Sequence, residues 1–151
     1  MKQKDEVRLW LESYRELRDN VNRLSQKHTR LLAQATRTTT QYRDMPGGGD
    51  SDKEKLYAAL ADDADELFTL MTRARERMRE LEEFIDSIPT PICRIILRHR
   101  YIEGLSWVQM QFALQKSGYY YERTHIFRLH GDALKEARTL WRERKEEINE
   151  Q

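Results

Sequence analysis

The sequence is poor in the residues that cross-link or interrupt a chain. It has a single cysteine, Cys93, with 3 prolines and 6 glycines among 151 residues. One cysteine excludes an intramolecular disulfide framework, so we expect a reducing, cytoplasmic setting. No apolar run approaches the roughly 20 residues of a membrane-spanning helix. The first residues, MKQKDEVRLW, lack a signal-peptide apolar stretch. We therefore expect a soluble protein with no membrane partner.

An excess of one charge is also lacking, because the formal net charge is +1. Charged residues make up 35% and hydrophobic residues 38%, a balance that favours long solvated helices over a thick globular core. The charge is uneven along the chain. Residues 51–88 carry 6 basic and 11 acidic side chains, whereas residues 89–139 carry 8 basic and 4 acidic ones. Any basic surface is therefore expected to be local and to lie in the C-terminal part.

Patterns of catalytic or metal-binding residues are missing as well. No serine, cysteine or carboxylate constellation indicates catalysis, and the glycines at 47–49 lack the strand and lysine of a phosphate-binding loop. His125 and His130 are five residues apart, whereas a helical zinc pair needs three or four. Cys93 forms no ligand pattern with His99 and is expected to be a small buried residue. We predict that the protein is not an enzyme and has no metal or cofactor.

What the sequence does have is a heptad pattern near its N-terminus. Apolar residues alternate at spacings of three and four, which predicts a helix with one seam for a second helix. The seam residues are Val7, Trp10, Tyr14, Leu17, Val21, Leu24, His28, Leu31 and Ala35. The polar residue His28 is expected to set the register of the helix pair rather than to bind a ligand.

A second helix is predicted after a flexible linker over residues 36–52. The threonine cluster and the glycine run behind Pro46 oppose a helix, and we expect a mobile tip. Ser51 is the predicted N-cap, with Glu54 completing a capping box. The second seam comprises Leu56, Leu60, Leu67, Leu70, Ala74, Met78, Leu81, Ile85 and Ile88. Asp63 stands where one apolar residue is missing.

The two seams together predict an antiparallel hairpin over residues 1–88 that also serves oligomerisation. Whether the helices pair within one chain or between chains stays open at this level. Two copies of the hairpin pairing into a four-helix bundle predict a homodimer. Residues 89–151 are predicted to form a separate domain, because helices become shorter and apolar residues denser after Pro89.

The C-terminal part begins with clear helix-capping signals. Thr90 and Pro91 predict an N-cap and a first helical residue. Gly104 stands where a C-terminal glycine belongs, and Ser106 with Gln109 predicts a capping box for the next helix. Trp107, Met110, Ala113 and Leu114 are expected to form the buried side of that short helix.

A turn from Gln115 to about Tyr120 follows, and the last helix is expected to be under way by Glu122. Ser117 is one candidate for its N-cap. Ile126, Leu129, Ala133 and Ala137 mark the expected inner side of this helix. Gly131 costs about 1 kcal/mol relative to alanine within a helix, and a close crossing by another helix would explain its presence.

Helix, tight turn, short capped helix, turn and longer helix is the order of a helix-turn-helix. Its second helix enters a major groove with its N-terminal residues toward the bases. The three tyrosines are interpreted equally well as turn packing and as phosphate contacts. The candidates for DNA binding are Lys116, Tyr119, Tyr120, Tyr121, Arg123, Thr124, His125 and Arg128.

The C-terminal sequence resembles the sigma-70 region 4-like helix-turn-helix. The resemblance rests on RYIEGLSW at residues 100–107 and RLHGDAL at residues 128–134, and it covers about residues 88–138. More narrowly, the chain is similar to phage transcriptional regulators of the ArpU and RinA type. The resemblance implies an all-α fold, promoter contacts from Arg123, Thr124, His125 and Arg128, and Trp107 in the core. The turn QKSGYYYE is longer than is usual in region 4 domains.

We therefore expect a double-stranded DNA-binding transcriptional regulator of phage or prophage origin, working in a bacterial cell. Approach to RNA polymerase is implied by the resemblance alone. Two other functions fit the same pattern. One is the recognition subunit of a phage DNA-packaging machine, similar to a small terminase. The other is a coiled-coil interaction module whose helix-turn-helix binds protein.

Overall fold

The computed structural model describes residues 3–42 and 50–151, with side chains over 6–37 and 51–151, and every regular element in these ranges is helical. The elements are α1 (Gln3–Tyr42), α2 (Asp50–Asp86), α3 (Pro91–Leu97), a π-helical turn (Arg98–Ile102), α4 (Trp107–Lys116) and α5 (Arg123–Glu150). The predicted all-α class is confirmed. Within the described ranges, none of the helices combines the length and apolar character that crossing a membrane requires.

Packing divides the chain into two compact units. The first comprises Met1–Arg15 with Glu76–Gln151, and the second comprises Glu16–Arg75. The ends of α1 and α2 therefore pack with the C-terminal helices, and these limits differ from the boundary expected near residue 88. That boundary, as a limit of independent folding, stays a prediction, because packing does not measure whether a segment folds alone.

The unit Glu16–Arg75 is an antiparallel pair of helices along the predicted seam. Each seam residue of α1 and α2 in this unit is buried or half-buried. Asp63 is only 5% exposed, and its carboxylate lies 3.3 Å from Nδ1 of His28 and 3.7 Å from Nζ of Lys27. The two polar seam positions thus meet each other within one chain. The predicted hairpin is confirmed, and its helices pair intramolecularly.

The predicted ends of these helices need correction. Helix α1 continues through Tyr42, into the segment expected to be a linker. Thr36 fits there because its hydroxyl donates to the carbonyl of Leu32 at 2.9 Å, one helical turn back. Helix α2 begins at Asp50, so Ser51 lies inside it and is not an N-cap. The mobile tip expected near Pro46 lies outside the described residues.

The other unit is built around a large apolar cluster. It joins the start of α1, the end of α2, α3 and α5, and its buried members are Val7, Leu11, Leu81, Phe84, Ile85, Ile88, Cys93, Leu97, Tyr101, Ala133, Leu134 and Ala137. Trp10 and Trp141 pack against Phe84, with ring centroids 5.0–6.0 Å apart among the three. Leu11 and Phe84 were absent from the predicted seams, although both are essentially fully buried.

Helix α3 begins as the capping signals predict, with Thr90 as N-cap and Pro91 as first residue. The Thr90 side chain does not cap the helix, however. Its hydroxyl donates to the carboxylate of Glu136 on α5 instead. Cys93, one turn into α3, is buried as expected. Burial, reinforced by the nearby Glu136 carboxylate, raises the pKa of this thiol to about 11. Cys93 is therefore a protonated packing residue at neutral pH.

The connection from α3 to α4 follows its sequence signals closely. A π-helical turn ends at Ile102, and Gly104 then adopts a φ of 69°, a conformation that glycine tolerates best. Ser106 and Gln109 form the predicted capping box through two reciprocal hydrogen bonds of 2.9 and 3.2 Å. Helix α4 is thereby fixed at its N-terminus in a defined direction relative to the preceding turn.

A smaller apolar cluster lies between α3, α4 and α5. Ile96, Met110, Leu114 and Ile126 are fully buried, and Leu105, Trp107, Tyr119, Tyr121 and Leu129 pack around them. These residues hold α4 against the start of α5. They form the core of the predicted helix-turn-helix.

Candidate nucleic-acid interface

The turn between α4 and α5 has a defined backbone geometry. Ser117 is the C-cap of α4, and Gly118 follows with a φ of 92°. The amide of Gly118 donates to the carbonyl of Gln115 at 3.0 Å, and that of Tyr119 to Leu114 at 2.8 Å. This pair of bonds is a Schellman motif, in which glycine supplies the left-handed residue. Ser117 therefore ends α4. It is not the N-cap of α5, although the sequence made it one candidate for that position.

Helix α5 begins one residue later than expected, at Arg123. Glu122 takes the N-cap position in an extended conformation, and its side chain makes no capping bond. Between Gly118 and Glu122 the chain is fixed by Gln111, whose amide donates to the carbonyl of Tyr121 at 3.3 Å. The long turn is therefore held by side-chain contacts, which position the N-terminus of α5.

The three tyrosines of this turn differ in burial. Tyr119 and Tyr121 are half-buried on the small apolar cluster, with their rings stacked 5.7 Å apart. His125 continues the row, with its ring 4.7 Å from that of Tyr121. Tyr120, in contrast, is 81% exposed. Tyr119 and Tyr121 thus shape the turn, and Tyr120 offers a hydroxyl and a ring to a partner.

The other candidates lie at the surface. Arg123, Thr124 and Arg128 are exposed on the first turns of α5, and Lys116 is exposed at the end of α4. Thr124, Arg128, Gly131 and Lys135 follow one another at spacings of four, three and four, so they share one side of α5. We call this side the α5 outer face. Arg123 precedes it at the helix N-terminus.

Phe127 also belongs to the α5 outer face, although the predicted set omits it. Its side chain is 46% exposed and its ring meets the edge of Trp107 at 4.9 Å. The guanidinium of Arg100 covers Trp107 at 4.2 Å from the ring centroid. Phe127 follows Thr124 by three residues, so helical spacing alone would have placed it on this side. An exposed aromatic ring between Thr124 and Arg128 adds an apolar element to a polar surface.

His130 fixes α5 from its inner side. It is 8% exposed, and its Nε2 lies 2.8 Å from the hydroxyl of the buried Tyr101. Burial, together with the positive charges of Arg8 and Arg100, lowers the pKa of His130 to about 4. The imidazole is therefore neutral at physiological pH. Burial also raises the pKa of Tyr101, so that the pair is a neutral hydrogen bond.

Packing within the described chain does not explain why residue 131 is a glycine. A Cβ built at this position meets no atom within 4 Å outside its own helix backbone. The close helix crossing that would explain this glycine is therefore not found among the described residues. A glycine in the middle of α5 lowers helix stability without a compensating contact inside the described chain. Its position on the α5 outer face leaves space for an external partner.

Not all of the basic residues in this part of the chain point outward to a partner. Arg94 donates to the carbonyl of Ile88 at 2.8 Å, and Arg100 donates to that of Leu105 at 2.9 Å. Arg98 forms an ion pair with Asp86 at 2.7 Å. These arginines stabilise the fold. The exposed cations of the helix-turn-helix are therefore fewer than the 8 basic residues in 89–139, and they are Lys116, Arg123, Arg128 and Lys135.

Comparison with known proteins identifies a family. The profile of a family described as protein of unknown function (DUF1492) matches residues 34–135. The chain belongs to the DUF1492 family. Neither curated proteins nor solved structures gave a match. The DUF1492 segment takes in α2, α3, the Schellman turn and the first turns of α5. It therefore includes all eight candidate residues. Among the described side chains, His, Cys, Asp and Glu form no cluster of three or more suited to a metal ion.

Proposed function

We propose that this DUF1492 protein is a sequence-specific double-stranded DNA-binding transcriptional regulator. The observation that carries the proposal is the exposed α5 outer face, which begins directly after a rigid turn and rests on the small apolar cluster. Such a helix N-terminus suits the width of a major groove, about 12 Å. A phage or prophage origin, the ArpU and RinA type, a cytoplasmic setting and action near RNA polymerase are proposed from the sequence resemblance.

The proposed contacts divide by the chemistry of each side chain. Arg128 is suited to a bidentate contact with a guanine, and Phe127 to contact with a thymine methyl group. Lys116, Tyr120 and Arg123 are suited to phosphates, which fix orientation without reading sequence. Tyr119, Tyr121 and His125 act mainly by holding the turn, because they are half-buried and stacked. No catalytic step, metal or cofactor belongs to the proposal.

Arg128→Ala tests the proposal at its central residue. Sites are first selected from a random duplex library with the wild-type protein, and affinities are then measured by gel shift. If Arg128 reads a base, the variant loses roughly 1–3 kcal/mol of affinity for the selected duplex and becomes less selective at one position. Affinity for a scrambled duplex changes little by comparison, because that affinity comes from phosphates.

Arg73→Ala is the matched control, since Arg73 is an exposed arginine on α2. Its affinity for the selected duplex is expected to equal that of the wild type. Equal losses in both variants would show that charge alone, not base reading, drives binding. Failure of the wild-type protein to select any sequence would remove the proposed function.

Salt dependence separates DNA binding from the alternative of a protein-interaction module. Phosphate contacts release counterions, so affinity for duplex DNA falls linearly with the logarithm of salt concentration. A module that binds protein predicts no such DNA affinity. A packaging subunit would also bind DNA, so the mass of the oligomer in solution distinguishes it from a regulator. Packaging predicts a ring of eight or more subunits, and regulation predicts a dimer.

A further inference from the structure

Over residues 22–36 of α1 and 57–71 of α2, one side of the hairpin unit is uncharged, although the chain is 35% charged. Each seam residue of α1 from Val21 to Ala35 is followed by Asn, Ser, Thr, Leu and Thr in turn. Each seam position of α2 from Leu56 to Leu70 is followed by Tyr, Ala, Ala, Phe and Met. None of these ten side chains carries a charge. Because the helices are antiparallel, residues one position after the seam lie on the same side of both helices. We call this side the hairpin face.

The hairpin face is exposed and partly apolar. Phe68 is 73% exposed, and Leu32, Tyr57 and Met71 are each 44–48% exposed. The apolar positions on α2 repeat at spacings of four and three, as a second seam beside the one that pairs with α1. Exposing an ordered apolar stripe to water is unfavourable, whereas scattered single residues need no explanation. The periodicity therefore points to a helical partner.

Small residues between the large ones suit close packing of helices. Ala61 and Ala64 separate Tyr57 from Phe68 on α2, and Ser25 and Thr29 precede Leu32 on α1. Large side chains from a facing helix fit into the spaces above small ones, as in interdigitated helix packing. Lack of charge is itself the compositional mark of an interface core. The hairpin face has both properties.

The two helices are electrically complementary to a second copy of themselves. Residues 16–37 of α1 carry 5 basic and 2 acidic side chains, net +3. Residues 50–75 of α2 carry 4 basic and 7 acidic ones, net −3. A second hairpin placed by a two-fold axis along the helices sets α1 of each copy against α2 of the other. Opposite charges then surround the uncharged face on both sides.

We propose that a second copy of this chain docks on the hairpin face, giving a four-helix bundle in which α1 of each copy lies against α2 of the other. The geometry is that of an isologous two-fold interface, and up-down neighbours are antiparallel throughout. The use of such a dimer to read two DNA half-sites rests on the proposed function. The association itself does not, because it involves no residue of the helix-turn-helix.

Phe68→Glu tests this interface without DNA. Mass is measured by sedimentation over a wide range of protein concentration, and helix content by circular dichroism. The wild type is expected to have the mass of a dimer. The variant is expected to be a monomer of unchanged helix content, because a carboxylate buried between apolar residues is unfavourable.

A second variant and a control complete the test. Thr29→Glu places a charge on the α1 part of the face and is also expected to give a monomer, so the test stands even if Phe68→Glu fails to fold. Leu9→Glu is the control, since Leu9 is 64% exposed on α1 and lies outside the face. This variant is expected to remain a dimer.

Three outcomes overturn the proposal: a monomeric wild type, a dimer that persists in both face variants, and a ring of many subunits. DNA binding is measured separately on the selected duplex. A dimer that binds no DNA leaves the interface intact and removes the proposed function. A monomeric wild type that binds DNA removes the proposed interface and leaves the proposed function intact.

Discussion

His28 and Asp63 show how two residues that interrupt an apolar pattern can lie next to each other across a helix pair. Each is a polar residue at a seam position, and the structure sets them 3.3 Å apart. The heptad spacing identifies both positions. It does not predict that they contact each other, because that depends on how the two helices align. Asp63 is the residue with which His28 would set the register of the helix pair, and this role stays a prediction.

The burial of His130 does not follow from the sequence pattern around it. Helical spacing predicts Ile126, Leu129, Ala133 and Ala137 on the inner side of α5, and the structure buries His130 among them. Its partner, Tyr101, is 29 residues away in sequence, on the π-helical turn. Local periodicity carries no information about such a contact.

The buried His130 predicts acid sensitivity of the folded state. In the unfolded chain the imidazole titrates near its ordinary pKa of 6.5, whereas in the fold its pKa is about 4. The unfolded state therefore binds more protons between pH 6.5 and 4, and stability falls as pH drops through that window. The contribution is complete above pH 6.5. At pH 4 the loss is at most about 3 kcal/mol.

His130→Gln isolates this effect, because the neutral amide does not titrate. Free energies of unfolding are measured by urea denaturation for both proteins from pH 8 to pH 4. The difference between wild type and variant is expected to be constant at high pH and to change in the variant's favour below about pH 6.5. A difference independent of pH would mean that His130 has the same pKa in the folded and unfolded states.

At the scale of single elements, signals that act within a few residues predict structure well. The capping box of α4, the proline start of α3 and the positive φ of Gly104 all follow the sequence, because each depends on neighbours along the chain. The limits of α1 and α2 were predicted less well. Threonines disfavour a helix intrinsically, yet α1 extends through them to Tyr42, so propensity alone set its end too early.

Gly131 allows stability and binding to be separated in one element. Its Cβ position is open, so Gly131→Ala introduces no clash and removes the conformational penalty of glycine in a helix. The variant is expected to be more stable by about 0.5–1 kcal/mol in urea denaturation. If DNA approaches the α5 outer face closely, the same variant binds the selected duplex more weakly than the wild type.

The combination of these two results is informative. Higher stability with unchanged affinity would show that DNA does not approach α5 at Gly131. Lower stability would contradict the open environment of the residue. Thr139→Val is a suitable control, because it introduces a methyl group at an exposed position two turns further along α5. That change is expected to leave DNA affinity unaltered.

At the scale of the whole molecule, the sequence divides the chain by pattern and the structure divides it by contact. The long seams suggest a self-contained hairpin, followed by a separate domain at about residue 88. In the structure, Val7 and Leu11 from α1 and Phe84 from α2 are buried in the same cluster as Ala133 and Ala137 of α5. Which helix ends pack together is decided by tertiary contacts, which a linear pattern does not encode.

This shared core predicts that residues 89–151 alone do not fold. The fragment lacks Val7, Leu11, Leu81, Phe84, Ile85 and Ile88, all of which are fully or almost fully buried. Each such side chain contributes about 1.5–3 kcal/mol on burial, so their joint loss of about 9–18 kcal/mol is as large as the 5–15 kcal/mol stability of a typical domain. We expect the fragment to unfold without a cooperative thermal transition and not to bind the selected duplex.

An internal deletion is the matched control for that fragment. Removing residues 16–75 takes away most of the same N-terminal part of the chain but keeps the whole cluster. Tyr14 and Met78, which lie 3.5 Å apart at hydroxyl and sulfur, show that the cut ends are neighbours that a short glycine-rich linker joins. This protein is expected to melt cooperatively and, lacking the hairpin face, to be a monomer. A folded 89–151 fragment would instead establish residue 88 as a true domain boundary and show that the α1 and α2 ends merely rest on an independent core.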